Sequence, residues 1–170
     1  MLKTSLLGAA AIISSLVLAF PAFGSDKLIP LEDFFKNPEK VSFQISPDGS
    51  RISYRAPWNR RMNIFVQKIG EESATRITSA ADRDIPAYFW SGDNRILYLQ
   101  DSGGDENFHL FAVDANGSKA RDLTPFEGAR VRIVDRLEDI DDEVLIGLNR
   151  RDPRLFDVFR LNIDSGELTL

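Results

Sequence analysis

The chain has 170 residues, no cysteine, a single histidine and a formal net charge of −5. Without cysteine there can be no disulfides, so a hydrophobic core has to supply the stability. A mildly acidic chain has no electrostatic reason to bind nucleic acid or anionic lipid, and we expect neither as a partner. The length is sufficient for one modest domain.

The first segment, residues 1–24, has the pattern of a secretory signal peptide. Lys3 provides a positive start, the run from Leu6 to Phe20 has no charge, and Pro21 interrupts it before a cut after Gly24. The alternative is a retained membrane anchor, but the apolar run is shorter than the roughly 20 residues that a spanning helix needs. We therefore predict an exported protein, periplasmic or secreted, with no membrane contact after signal cleavage.

Residues 25–40 are predicted to form a lead-in with a short helix. The stretch "IPLEDFFKN" has Pro30 near the helix start, acids in the first turn and Lys36 near the end. Proline at the first helical position and acids beside the positive end of the helix dipole favour helix initiation there. Pro38 then ends the helix.

The remaining chain repeats itself. "SPDGSRISY", which begins at Ser46, returns in similar form as "SGDNRILYL" at Ser91. Phe65, Phe111 and Phe159 stand at equivalent places of three successive copies, 46 and 48 residues apart. A period of about 40–50 residues with several short strands per period is typical of a β-propeller blade.

The predicted fold is all-β, a partial β-propeller of about three four-stranded antiparallel blades. Each copy contains a turn rich in Asp, Gly or Asn, an apolar strand, a second alternating strand and a short strand that ends in Thr, and the fourth strand precedes the repeated turn. The approximate blades are residues 41–85, 86–131 and 132–170.

Closed propellers have typically 4–8 blades, more than this sequence provides. One expectation is that the chain is a fragment, the front part of a longer protein. The alternative is self-association, in which exposed blade edges of two or more copies complete a ring.

Several motifs resemble a known family. "ISPDGSRISY" resembles the blade-opening motif of Tol-type periplasmic propellers and of the prolyl oligopeptidase family. More specific are "DSGGDENFHLFAVD" at 101–114 and "NRRDPRLFDVFRLNIDSGEL" at 149–168. In that order they resemble successive blades of exported acylaminoacyl-peptidase and dipeptidyl-peptidase-like serine peptidases, and "IPLEDFFKNPE" resembles their lead-in helix.

The resemblance implies a propeller that sits over an α/β-hydrolase domain with the catalytic Ser, Asp and His. No Gly-x-Ser-x-Gly elbow occurs in these 170 residues, and the single His109 lies in an alternating strand. We therefore expect no catalytic residue in this chain, no activity of the chain alone, and a role in gating and orienting a peptide substrate. The alternative is a Tol-type binding module that acts by protein–protein contact.

Asp105, Glu106 and Asn107 are the first candidate substrate-binding residues. They lie in a polar loop between two predicted strands, and a carboxylate there could bind the amino group of a peptide end. Some dipeptidyl members of the family use an acidic pair in this way. The alternative is a solvated turn that Asn107 stabilises by bonding to its own backbone.

Arg150, Arg151 and Arg154 form the second candidate group. Arginine suits bidentate pairing, so these side chains could hold a substrate carboxylate or pair with a peptidase domain. The alternative is internal pairing with Asp152 and Asp157.

No cofactor and no metal site are predicted. His109 has no cysteine and no second histidine for a zinc site, and the acidic run 138–143 lacks the spacing and the glycine of a calcium loop. The aromatic side chains of Trp58, Tyr88, Phe89 and Trp90 are either a platform for a peptide or part of the core between blades.

Overall fold

The computed structural model describes residues 28–170, so the predicted signal peptide lies outside the described residues. The described chain contains one short helix, and none of its helices is long and apolar enough to cross a membrane. Helix α1 spans Leu31–Phe35, directly after Pro30, with Glu32 and Asp33 in its first turn. It lies within the predicted stretch but is shorter.

Twelve strands form the rest of the described chain, in three four-stranded antiparallel sheets. Blade 1 contains β1 (Val41–Ile45), β2 (Arg51–Trp58), β3 (Arg61–Lys68) and β4 (Ala74–Arg76). Blade 2 contains β5 (Ala87–Trp90), β6 (Arg95–Gln100), β7 (His109–Asp114) and β8 (Arg121–Asp122). Blade 3 contains β9 (Val131–Asp135), β10 (Glu143–Asp152), β11 (Leu155–Asn162) and β12 (Leu168–Thr169).

All three sheets have the same topology, with the four strands side by side in chain order. The registers agree with the repeat seen in the sequence: Tyr54 pairs with Phe65 in blade 1, Tyr98 with Phe111 in blade 2, and Ile146 with Phe159 in blade 3. The predicted all-β partial propeller of three four-stranded blades is thereby confirmed.

The repeated turn before β2 is built by Asp48. Its carboxylate accepts hydrogen bonds from the Ser46 hydroxyl at 2.5 Å and from the Ser50 hydroxyl at 2.6 Å and backbone N–H at 3.0 Å. These bonds, the one from Ser46 foremost, lower the pKa of Asp48 to about 2. Gly49 completes the turn at a φ of 69°, a conformation that glycine adopts without steric cost.

Two hydrophobic clusters join the blades in chain order. The first lies between blades 1 and 2 and includes the fully buried Ile64 and Ile96. The second lies between blades 2 and 3 and includes the fully buried Leu97, Leu110 and Ile146. Burying one such side chain contributes about 1.5–3 kcal/mol, and these clusters stabilise the arrangement of the three sheets.

The two terminal blades each leave apolar side chains exposed. In blade 1, the Phe43 ring lies 5.4 Å from the Tyr54 ring and is 54% exposed. In blade 3, Val158 is 50% exposed. In blade 2, Tyr98 stacks on Phe111 at 5.2 Å, as Tyr54 stacks on Phe65 at 5.8 Å in blade 1, and the blade 2 stack packs against blade 1. Burial there raises the pKa of Tyr98 to about 12.

Candidate functional site

Both predicted groups of site residues lie at the end of the second strand of a blade or directly after it. Asp105, Glu106 and Asn107 lie in the loop between β6 and β7, whereas Arg150 and Arg151 lie near the end of β10 and Arg154 follows in the turn to β11. Because the three sheets share one topology, these connections leave the same edge of their blades. The topology therefore places both groups on one edge.

The acidic loop is held by bonds within itself. The Asp105 carboxylate accepts a hydrogen bond from the Asn107 backbone N–H at 3.0 Å and one from the Asn107 side-chain amide at 3.2 Å. The bond from the Asn107 backbone keeps the pKa of Asp105 below its ordinary value. Glu106 adopts a φ of 59° and is exposed, so the loop presents two carboxylates to solvent.

A third carboxylate lies behind this loop. The Asp101 side chain is only 2% exposed, and its Oδ1 lies 3.7 Å from Arg83 Nε. Its Oδ2 accepts a long hydrogen bond, 3.4 Å, from the Glu106 backbone N–H. Asp101 and Asp105 line a cavity of about 400 Å³ together with His109 and Glu127. Asp101 was not among the predicted site residues, although it is the first acid of "DSGGDEN".

His109 also borders this cavity, where its ring has a local partner. Nδ1 lies 2.7 Å from Asp122 Oδ2, and the other oxygen of that carboxylate accepts the Thr124 backbone N–H at 2.8 Å. The contact joins β7 to its neighbour β8. The histidine thus has an acid partner within its own blade.

Two of the three predicted arginines pair internally. Arg151 binds the Asp157 carboxylate through two hydrogen bonds of 2.9 and 2.8 Å, and Arg154 binds Asp152 through bonds of 3.1 and 2.8 Å. These bonds hold the pKa values of both aspartates below their ordinary range. Both ion pairs are exposed on the arginine side, so each is worth little to stability.

Arg150 differs from the other two. Its guanidinium lies 4.5 Å from the centre of the Phe126 ring, in the segment that links blades 2 and 3. Arg150 and Arg151 line a separate cavity of about 530 Å³ that does not include the acidic loop. The structure therefore places the two groups on one edge but does not bring them together in one cavity.

A larger cavity, of about 960 Å³, lies between the first strands of blades 2 and 3. We call it the inner cleft. Its aromatic and aliphatic lining includes Phe89, Leu99, Phe108 and Ile133, and its lining also includes Arg130 and Arg136 at the two ends of β9. Phe89 was predicted to be part of a platform or of the core, whereas no role was predicted for either arginine.

No family model matches the chain. Two curated proteins are similar in sequence. Dipeptidyl aminopeptidase BIII of Pseudoxanthomonas mexicana is 38% identical over 146 residues, which is 85% of this chain and 21% of that protein. Dipeptidyl peptidase family member 6 of Caenorhabditis elegans is 28% identical over 151 residues, 84% of this chain and 20% of that protein.

Solved structures are similar in fold. TolB from Acinetobacter baumannii superimposes with a TM-score of 0.53 at 17% identity, over 76% of this chain and 31% of that one. Pyrococcus horikoshii acylaminoacyl peptidase gives a TM-score of 0.54 at 17% identity, over 78% of this chain and 25% of that one.

The chain spans about a fifth of the length of the curated relatives it matches. The sequence matches are to peptidases, and the fold matches include both an acylaminoacyl peptidase and TolB. Together they fit the propeller portion of a prolyl oligopeptidase-family serine peptidase, the family whose motifs the sequence resembles.

Proposed function

We propose that this chain is a substrate-gating and substrate-orienting propeller segment of an exported serine peptidase that hydrolyses peptides. The main support is the 38% identity to a dipeptidyl aminopeptidase over 85% of the chain, combined with three propeller blades. Export is supported by the signal-peptide pattern of residues 1–24. The catalytic triad belongs to a different part of the parent protein.

Within this role, the acidic loop binds the amino end of the peptide. Asp105 and Glu106 are exposed, whereas the buried Asp101 behind them is paired with Arg83. An ammonium group bound by carboxylates forms charge-assisted hydrogen bonds, which are about twice as strong as neutral ones. Arg150 is a positive group on the same edge but in a separate cavity, and its guanidinium contacts the Phe126 ring.

The absence of catalysis is tested on the full chain with chromogenic dipeptide anilides. We expect no turnover, because a serine nucleophile needs an adjacent base, and among the described residues no serine forms a hydrogen bond with the His109 ring, whose partner is Asp122. Turnover that a serine-directed reagent abolishes would contradict the proposal.

The binding role is tested with C-terminally amidated tripeptides that have either a free or an acetylated amino end. We expect the free amine to bind about tenfold more tightly, and Asp105→Asn with Glu106→Gln to remove that preference. Glu72→Gln is the matched control, an exposed acid in blade 1. Equal affinity for both peptides, or an equal effect of the control, would show that the loop is a solvated turn.

A further inference from the structure

The inner cleft lies at the junction of blades 2 and 3, where several residues differ from their counterparts at the junction of blades 1 and 2. At the junction of blades 1 and 2, polar side chains join β5 to the first two strands of blade 1: Gln44 Nε2 donates to the Tyr88 carbonyl at 2.8 Å, and Trp90 Nε1 donates to the Ser53 hydroxyl at 2.9 Å. By register, Phe89 and Leu97 take the places of Gln44 and Ser53 at the next junction. The polar bridges are therefore lost there, and a cleft takes their place.

A third position of the repeat, that of Tyr88, also differs between the two junctions. Tyr88 donates its hydroxyl to the Ser42 carbonyl at 2.5 Å across the first junction. Its counterpart in blade 3 is Ile133, which pairs with Ile146 as Tyr88 pairs with Tyr98. Isoleucine has no donor to bridge the gap. Among residues 28–170, no hydrogen bond between side chains spans the apolar floor of the inner cleft.

Three arginines line the cleft. Arg132 lies 3.9 Å from the centre of the Phe156 ring, outside the lining, and the other two flank the apolar floor. The Arg136 guanidinium lies 4.8 Å from the centre of the Phe89 ring, and the Arg130 guanidinium lies 5.6 Å from that of Phe108. Within residues 28–170 neither guanidinium forms an ion pair. A cation–π contact orients a guanidinium and leaves most of its five N–H donors available for a carboxylate.

The strands that border the cleft have free edges. In the described chain β5 pairs with β6 alone and β9 with β10 alone. An edge strand offers unpaired backbone groups to an extended peptide. The two arginines are separated by the length of β9, roughly 20 Å at about 3.3 Å per residue. Free phosphate or a similar small anion would leave most of the apolar floor uncovered.

We propose that the inner cleft binds an extended peptide that has a carboxylate, with apolar side chains on the partly buried Leu99 and Ile133 and the carboxylate on Arg136 or Arg130. The acids of the lining are Asp135 and Glu138. Asp135 Oδ1 accepts the Leu137 backbone N–H at 2.9 Å, and Glu138 is exposed. This binding does not depend on the parent activity proposed above.

The test uses an N-acetylated, fluorescein-labelled hexapeptide with one phenylalanine and a free C-terminal carboxylate, and the same peptide amidated. Acetylation removes the amine that the acidic loop would bind, so the two sites are tested separately. Fluorescence anisotropy with the full chain is expected to show about tenfold tighter binding of the free acid. Arg136→Gln and Arg130→Gln each reduce that preference, and together they abolish it.

Arg76→Gln is the matched control, because Arg76 also lies over a ring, at 3.8 Å from the centre of the Trp58 ring, but outside the cleft. Equal loss in this control, or equal affinity for acid and amide, overturns the proposal. If millimolar inorganic phosphate displaces the labelled peptide as effectively as the unlabelled acid does, the cleft binds small anions, and the proposal of a peptide ligand is contradicted. Arg136→Glu, checked for native thermal unfolding, should bind the amide at least as well as the acid.

Discussion

The two junctions between blades have similar cores but different inner sides. Both join the sheets through fully buried aliphatic side chains, such as Ile64 and Ile96 at the first and Leu110 and Ile146 at the second. On the inner side, the first junction is bridged by hydrogen bonds between side chains and backbone, whereas the second contains the inner cleft.

The second junction places its polar bridges elsewhere. Arg95 forms an ion pair of 2.6 Å with Asp164, Arg121 donates to the carbonyls of Ile163 and Asp164, and Ser91 donates to the Asp141 carbonyl at 2.7 Å. On blade 2 these contacts use β6, β8 and the turn after β5, and on blade 3 they use the turns before β10 and after β11. Similar cores therefore stack the blades at both junctions. The few residues that differ between the repeats determine whether hydrogen bonds or a cleft occupy the inner side.

The largest expected effect comes from Leu97→Ser, which introduces at the second junction the residue that the first junction has at the equivalent position, Ser53. Leu97 is fully buried, so the change leaves a cavity and a hydroxyl without the indole donor that Ser53 has. We expect the free energy of unfolding to fall by about 3 kcal/mol or more, measured by urea denaturation. Leu155→Ser, at a half-exposed position, is the control. A loss below about 1 kcal/mol would contradict this account of the core.

A smaller effect is expected from Trp90→Phe at the first junction. The change removes the 2.9 Å bond to Ser53 and leaves a buried hydroxyl without its donor. The expected loss is about 1–2 kcal/mol in the free energy of unfolding. Trp58→Phe serves as the comparison, because Trp58 forms a cation–π contact with Arg76 at the end of β2. If both variants lose the same stability, the indole bond does not close the junction.

The smallest effect concerns the pH dependence of the turn before β2. The pKa of Asp48 is lowered from 3.8 to about 2 in the folded chain. A lowered acid pKa stabilises the fold above the unfolded value, and this contribution disappears as pH falls from about 4 to about 2. The stability difference between the native chain and Asp48→Asn should therefore shrink over that window in urea titrations. A difference that stays constant from pH 5 to pH 2 would argue against the turn bonds.

Much of the fold was predictable because the repeat is a local signal. Strand alternation and the spacing of Tyr54, Tyr98, Phe65 and Phe111 arise from side chains that must face a core at regular intervals, so they are visible in one dimension. The lead-in helix was predictable from Pro30 and its acids for the same reason, although its end at Phe35 was not.

The candidate site was harder to predict from the sequence than the fold. Arg151 and Arg154 were named as ligand candidates, and the pairing with Asp157 and Asp152 was the alternative; sequence spacing alone does not show which partner a long side chain reaches. Their role, like that of Asp105, Glu106 and Asn107, stays a prediction. Asp101 was missed because its burial depends on the loop folding back over it.

The sequence by itself determined the blade repeat and its strand order, since these follow from periodicity and turn chemistry. Only the tertiary structure decided where a junction stays open. The exchange of Gln44 and Ser53 for Phe89 and Leu97 is visible in the aligned repeats, but its effect requires knowing that each pair faces a neighbouring blade. A cleft is a property of two surfaces, and their distance is set by all the side chains packed between them.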